Sequence, residues 1–373
     1  MNRRLLITST DLMMVQFLVP HVINLSSKEF DIDIACSEVG GRFAEVVDKL
    51  SKYVGHIYKV SLQRSPLSID NATGYKELIK IINGGTYDYI WTNEPVMSVT
   101  TRLAARKARK RGTKLVYMAH GFHFFKGAPT LNWLIYYPIE RIMAHHADMI
   151  CTVNTEDYTR AQQFNVKRVS YIHGIGINTA RLSHNGITHS IRQELNLPDN
   201  ASIILSIGEL NKNKNQSTII KALSGLKNSN IHYVLCGKGS EENNLKLLAN
   251  VLGISSQVHF LGYRKDVVDI CAQADIYVMP SYREGLPVSS LEAMYCGLPL
   301  VTSNIRGLTD VNKENINGLQ CAPNDYNGFA NAIQKLIKDS DLRRKMGDKN
   351  RCDVIPYTID NTLHEVENLF SSF

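Results

Sequence analysis

The sequence predicts an α/β protein built from two Rossmann-like, doubly wound parallel-sheet domains facing a cleft. Three observations carry this expectation. Short β-rich runs alternate with helical stretches along the whole chain, the pattern of parallel sheets covered by helices. The 373 residues suffice for two domains with substantial cores. A polar, Gly-containing stretch, GIGINTARLSHNGITHS (174–190), separates two such series.

In the first series the expected strands are RLLITST, DIDIACS, HIYKVSL, YDYIWTN, KLVYMAH, MICTVN and VSYIHGIG. In the second they are SIILSIG, IHYVLCG, VHFLGY, DIYVMPS and LPLVTSN. The division that follows is an N-terminal domain over 1–173, a linker over 174–200, a C-terminal domain over 201–355 and a final helix over 356–373. The opening MNRRLLITSTD carries cations but no long apolar run, so it reads as a first strand rather than a signal peptide. No uninterrupted apolar stretch approaches the length of a bilayer span.

Seven cysteines are spread singly, without a C-x-x-C pair, which points to reduced thiols in a cytoplasmic protein rather than a disulfide frame or zinc site. Charge is uneven. Residues 1–173 hold 22 Lys+Arg against 15 Asp+Glu, and the remainder 20 against 20, so the whole formal excess lies in the first half. Much of it is TRLAARKARKRGTK (101–114), where Arg102, Arg106 and Lys110 fall at helical spacing with Lys107 and Arg111 beside them. Such a face is either simply solvated or drawn to an anionic membrane surface. No nucleic-acid-binding module accompanies it.

Two motifs bear chemistry. After the strand SIILSIG come Gly208 and the lysine-bearing turn ELNKNKN, a natural diphosphate site of exposed N–H groups with Lys212 and Lys214 to neutralise charge. In PSYREGLPVSSLEAMYCGLP (280–299), Glu284 and Glu292 flank seven residues. Pro287 suits the first turn of a helix, and Gly297 with Pro299 suits its end. Glu284 is therefore expected on the loop at the helix N-terminus and Glu292 about one turn inside. Carboxylates accept hydroxyl hydrogen bonds and a helix N-terminus holds an anion, so the pattern fits a polyol beside a phosphate. The first strand lacks a following G-x-G-x-x-G, which argues against a dinucleotide oxidoreductase. Asp31 and Asp33 alternate within a strand and are not read as a metal site; His123, three residues after His120, has no third ligand near it in sequence.

Four blocks in order, ILSIGELNKNKN (204–215), LCGKGSEENNLKLLA (235–249), the stretch from VHFLGYRKD to LPLVTSN (258–304) and NGLQCAPND (317–325), resemble the retaining glycosyltransferases of family 4. AHGFHFFKGAPTLNWLIYYPIERIMA (119–144) is similar to the subgroup that builds capsule, exopolysaccharide and O-antigen repeat units. The resemblance covers nearly the whole chain and implies the GT-B type of fold, with the C-terminal helix crossing back to the N-terminal domain. It implies that Glu284 holds hydroxyls of the donor sugar, Glu292 the nucleotide ribose and Lys214 the diphosphate. Leu286, Pro287 and Val288 then lie where backbone approaches sugar and phosphates. Gly237 belongs to a turn near the base or ribose, and Arg264 and Lys265 to a loop lining the nucleotide. His120, at the end of KLVYMAH, matches a functional histidine near the reacting sugar. The sequence departs from the family at Glu209, which stands where a diphosphate-binding Arg is usual; Lys212 is the cation available instead. A glycine-rich loop after the first strand is also missing, and Arg42 is offered as an acceptor-binding residue in its place.

The implied activity is transfer of a hexose or N-acetylhexosamine from a UDP-sugar to an undecaprenyl-diphosphate-linked saccharide in bacterial surface polysaccharide synthesis. It needs no metal or other cofactor and takes place in the cytoplasm at the inner face of the membrane, with peripheral attachment to anionic lipid. The catalytic set is His120, Glu284 and Lys214. A sugar-nucleotide epimerase or hydrolase of the same fold, and a non-catalytic nucleotide-sugar-binding homologue, remain open alternatives.

Overall fold

A computed structural model describes residues 2–39, 41, 43–182 and 189–373. It divides into two compact units, Met1–Gly176 with Ile359–Phe373, and Ile177–Thr358.

The first unit is built on seven strands: β1 (Arg3–Asp11), β2 (Phe30–Val39), β3 (Ile57–Lys59), β4 (Tyr89–Asn93), β5 (Lys114–Ala119), β6 (Met149–Thr152) and β7 (Arg168–Tyr171). They pair in the order β3-β2-β1-β4-β5-β6-β7, and every described pairing is parallel. Parallel strands need crossover connections, and helices such as Leu12–Ser26, Asp70–Gly84 and Pro95–Ala104 supply them. Because helices cover such a sheet, its central strands are buried almost throughout: Leu5, Leu6, Ile7, Leu115, Val116 and Met118 are fully buried, whereas the edge strands β3 and β7 are partly open. Strand order reverses between β1 and β4, which opens a crevice at their carboxyl ends.

The last helix, Ile359–Ser371, belongs to this unit. Phe370 sets its ring edgewise against Phe30, Tyr89 and Trp91 at 5.5–6.0 Å between centroids. Glu365 accepts from the His173 backbone N–H at 2.8 Å and pairs with the His173 ring at 2.6 Å. Gly176 lies so close that a Cβ there would sit 2.3 Å from Thr362 Oγ1.

The second unit holds β8 (Ser202–Ile207), β9 (Ile231–Cys236), β10 (Val258–Gly262), β11 (Ile276–Met279), β12 (Leu300–Ser303) and β13 (Gly318–Cys321), ordered β10-β9-β8-β11-β12-β13 and parallel in each described pairing. Side chains alternate strictly across the sheet. Ile204, Ile276 and Val278 enter one core with Phe329 and Ile333, while Ile203, Leu205, Tyr277 and Met279 enter the other with Leu291 and Met294. The order reverses between β8 and β11, so the crevice of this unit lies at the carboxyl ends of those two strands.

All twelve expected strands form. The sequence reading does not include β13, and it places no helices in the linker, where Thr179–Leu182 and Ile191–Glu194 form within the second unit. Arg42 and residues 183–188 of the linker lie outside the described residues. The basic run is corrected. The helix Pro95–Ala104 ends before a separate short helix, Arg106–Lys110, and Arg102 points inward. It is fully buried, bonds Glu140 at 2.8 Å and lies over the Tyr117 ring at 4.4 Å, while Tyr117 donates to Glu140 at 3.2 Å. Arg102 is a core cation, so the exposed basic face begins at Arg106.

Candidate active site

At the carboxyl end of β8 the chain turns through Gly208 into an asparagine-rich loop. The loop is shaped by its own amides. Asn211 accepts from the Lys214 N–H at 2.9 Å and donates to Glu209 at 2.9 Å. Asn215 adopts a left-handed conformation (φ 55°), which asparagine tolerates, and donates to the carbonyls of Pro280 and Pro323. Lys214 is thereby laid across Gly208: its Cε would be 3.4 Å from a Cβ at that position. Its Nζ meets Glu284 Oε1 at 2.8 Å, with both side chains largely buried.

Glu284 is set by the other side of the same loop. Asn213 donates to the Arg283 carbonyl at 2.9 Å and accepts from the Tyr282 N–H through its own carbonyl at 2.9 Å. Buried Arg306 donates to the Glu284 carbonyl at 3.2 Å. Gly307 abuts Gly285 so tightly that a Cβ would lie 2.2 Å from its carbonyl oxygen. Pro287 then caps the helix Val288–Tyr295. Helix geometry leaves the N–H groups of Val288 and Ser289 without an intrahelical carbonyl, and they project from the N-terminus. The side chains of Leu286 and Val288 pack on the core, so only their backbone is offered. The helix ends as expected, with Gly297 at φ 80° and the Leu298 N–H returning to the Ala293 carbonyl.

Glu292 lies one turn inside this helix, 7% exposed. Burial raises its pKa, opposed by the ion pair and hydrogen bond with Arg181 of the helix Thr179–Leu182. Arg181 is itself half exposed, so this cation is the accessible cover of an otherwise buried carboxylate.

The remaining expected residues are placed as follows. Gly237 (φ 156°) packs against the backbone of Gly208, where a Cβ would lie 1.8 Å from the carbonyl oxygen; glycine there lets the turns after β8 and β9 touch. Arg264 is held by two acids, Asp266 at 2.5 and 2.8 Å and Glu194 at 2.9 Å. Lys265 is exposed. Lys212 is exposed too and lines a cavity of about 270 Å³ with Gln216, Glu241 and Tyr282, apart from the Lys214–Glu284 pair. Glu209 is exposed and occupied by Asn211. Asn213, Arg306 and Arg181 are organising residues that sequence reasoning missed; each acts on a segment at least 22 positions away, where only the fold could reveal it.

In the first unit, His120 follows β5 directly. Its Nε2 lies 3.0 Å from Asn93 Oδ1, and the Asn93 amide donates to the Thr8 carbonyl at 3.3 Å. That orientation makes Oδ1 the acceptor, so Nε2 carries the proton and Nδ1 is the bare nitrogen. Burial lowers the His120 pKa to about 4, which keeps the ring neutral at physiological pH. Beside it Glu94 caps the helix Pro95–Ala104 in a conformation (φ 62°, ψ 150°) that a non-glycine residue rarely adopts. Its carboxylate accepts from Ser9 Oγ at 2.8 Å and the Thr10 N–H at 2.6 Å, tying the ends of β1 and β4 together.

Comparison with known proteins identifies the family and the fold. The model "Glycosyltransferase Family 4" matches residues 21–181, and "Glycosyl transferases group 1" matches 188–352. EpsD of Bacillus subtilis, which carries the name of a glycosyltransferase, is 36% identical over 327 residues, 86% of each chain. An Escherichia coli protein named UDP-Gal:alpha-D-GlcNAc-diphosphoundecaprenol alpha-1,3-galactosyltransferase is 26% identical over 328 residues, 85% of this chain and 83% of the other. Among solved structures, Anabaena HepE in complex with UDP superimposes with a TM-score of 0.80 at 18% identity, covering 100% of both chains. Family models thus account for both halves of the molecule and a relative above 30% identity spans most of it; the chain belongs to the family 4 glycosyltransferases and has their GT-B fold.

Proposed function

We propose that the protein is a retaining, metal-independent glycosyltransferase that moves a hexose or N-acetylhexosamine from a UDP-sugar to an undecaprenyl-diphosphate-linked saccharide in bacterial surface polysaccharide synthesis. The observation that carries this reading is the Lys214–Glu284 pair, a cation and a carboxylate held over Gly208 beside the helix start at Val288. A diphosphate needs the first and the N–H groups of Val288 and Ser289; a sugar needs hydroxyl acceptors such as the second. Glu292 is the acceptor for ribose hydroxyls, with Arg181 yielding its place to them. The relatives supply the class of reactants: one is named for UDP-galactose and a diphosphoundecaprenol acceptor, and one neighbour was solved with UDP.

In the reaction an acceptor hydroxyl oxygen bonds to the anomeric carbon as the bond from that carbon to the diphosphate oxygen breaks. Attack from the face of departure retains the configuration, and the leaving diphosphate oxygen takes the hydroxyl proton. Lys214 and the helix N-terminus stabilise the charge that develops there. His120, neutral and held by Asn93, serves as a hydrogen-bonding partner of the reacting sugar rather than as a cation.

The test is transfer of radiolabel from a panel of UDP-sugars to membrane lipid extracts, with Glu284→Ala as control. Label entering the lipid fraction from one donor, and lost in the variant, is the expected result. Hydrolysis or epimerisation of free UDP-sugar without lipid label would overturn the reading.

A further inference from the structure

We propose that the cavity beside the Asn211–Asn215 loop is a second carbohydrate site, one that takes a single neutral hexopyranose unit. The cavity holds about 270 Å³, and Lys212, Gln216, Ser217, Glu241, Leu245 and Tyr282 line it together with the asparagines of the loop. Neither Lys214 nor Glu284 is among its lining residues. Pockets that enclose drug-sized ligands run to about 300–1,000 Å³, so this one has room for one sugar ring and not for a nucleotide sugar. A polar atom in its wall lacks a partner. Gln216 is 3% exposed. Its Nε2 donates to the Glu209 carbonyl at 3.0 Å, which leaves Oε1 as the acceptor of the amide. Among the described residues no donor reaches that oxygen. A buried acceptor left unmet costs about 1–3 kcal/mol, and in the wall of a cavity a ligand can supply the missing donor.

The groups around Gln216 say what kind of ligand fits. Lys212 is exposed and offers ammonium N–H groups, and the helix Ser217–Leu226 opens its N-terminus at Ser217. Both favour an anion or a hydroxyl oxygen. Glu241 is half-buried, held on one oxygen by the Asn244 amide at 3.2 Å, and like Gln216 Oε1 it favours a donor. A phosphate would face a carboxylate and an unmet amide oxygen. An ammonium ion would face Lys212 and a helix N-terminus. A neutral polyol suits all of them, because each hydroxyl both donates and accepts. Tyr282 and buried Leu245 supply the apolar surface that the C–H face of a pyranose needs. The Tyr282 ring is 42% exposed, and it is pinned by its hydroxyl, which donates to Asn324 Oδ1 at 2.6 Å, and by its backbone N–H, which donates to the Asn213 carbonyl at 2.9 Å. Such a site holds a glycan by a unit that takes no part in transfer, and the inference stands apart from the reaction proposed above.

The test is a saturation-transfer NMR titration of the full chain with the methyl glycosides of glucose, galactose and N-acetylglucosamine. At least one of them is expected to bind the wild type and Glu284→Ala with the same affinity, because Glu284 lies outside the cavity. Glu241→Ala and Gln216→Met are each expected to weaken that binding at least about fivefold, the loss of one or two hydrogen bonds. Glu241→Ala is expected to keep the wild-type melting temperature. It decides alone if Gln216→Met, which also takes the donor from the Glu209 carbonyl, fails to fold. Absence of saturable binding of all three glycosides to the wild type overturns the proposal. So does binding that Glu284→Ala abolishes and Glu241→Ala leaves intact, since the sugar is then held by the residue proposed for the donor sugar. Displacement of the bound glycoside by inorganic phosphate from wild type and Glu284→Ala alike marks an anion site and overturns it too.

Discussion

Lys214 Nζ and Glu284 Oε1 meet at 2.8 Å although 70 positions separate them in the chain. The two residues belong to loops after β8 and β11, adjacent strands at the point where sheet order reverses. The loops are bound to each other by Asn213 and Asn215. The pair is therefore preorganised: the Lys214 ammonium group is fixed against the Glu284 carboxylate, which balances its charge, and the proposed reaction assigns the first to the leaving diphosphate and the second to the sugar.

Lys214→Ala removes the cation and leaves the loop amides intact. Turnover is expected to fall about 10²- to 10³-fold, the size typical of losing one preorganised electrostatic donor. The melting temperature should barely move. Steady-state transfer assays and a thermal melt decide this, and near-normal turnover would remove Lys214 from the chemistry.

Gly237→Ala tests how closely the turns after β8 and β9 must pack. A Cβ would stand 1.8 Å from the Gly208 carbonyl oxygen, on a backbone at φ 156°, so something must shift. The expected loss is more than about 3 kcal/mol of stability, read by denaturant unfolding. Gly208→Ala meets only the Lys214 side chain at 3.4 Å. It should cost less stability than Gly237→Ala while disturbing turnover more than its stability loss explains.

His21 and His120 give a pH dependence of stability. Each has a pKa lowered by burial to about 4, whereas the unfolded chain binds the proton near the ordinary histidine value of 6.5. The unfolded state therefore holds more protons between these values, and stability present above pH 6.5 is lost as pH falls towards 4. His21 is 1% exposed and bonded to the Ile175 carbonyl at 2.9 Å, so its replacement is structural as well. His120→Gln, which keeps a hydrogen-bonding group for Asn93, should flatten the decline between pH 6.5 and 4. An unchanged slope in thermal melts would show that His120 is charged in the folded protein.

Glu292 works in the opposite sense. Its pKa is raised, so the folded protein holds the proton to higher pH than the unfolded chain does, and stability falls as pH rises through the raised value. Arg181 limits that loss. Glu292→Gln should therefore gain stability relative to wild type as pH rises from the ordinary carboxylate range to neutrality, provided Arg181 is replaced as well. Thermal melts of Glu292→Gln with Arg181→Met across that range check it; a double variant that loses stability relative to wild type over the same rise would show Glu292 ionised favourably in the fold.

The strands were legible in sequence because buried parallel strands are written as short apolar runs between turn residues. β13 was not, since Gly-Leu-Gln-Cys is four residues with a polar one among them. The helix from Val288 to Tyr295 was legible at both ends, through Pro287 and Gly297. What sequence spacing could not supply was direction and partner. Arg102 has the spacing of a surface cation, yet Glu140, 38 positions away, draws it into the core. Arg264, which the resemblance assigns to a loop lining the nucleotide, pairs with Glu194, 70 positions away, as well as with Asp266, and spacing does not reveal the first of these partners. In the helix Thr130–Met143 aromatic and aliphatic residues alike read as apolar, and only the fold sorts the first inward and the second outward.

The most direct test of the proposed division of labour is titration calorimetry of UDP against wild type, Glu292→Ala and Glu284→Ala. The expected result is UDP affinity at least tenfold weaker in Glu292→Ala, about 1.4 kcal/mol or more. In Glu284→Ala it should be undiminished, with transfer from the UDP-sugar lost. UDP affinity at the wild-type value in both variants, or lost equally in both, would contradict a site in which Glu292 holds the nucleotide and Glu284 the sugar.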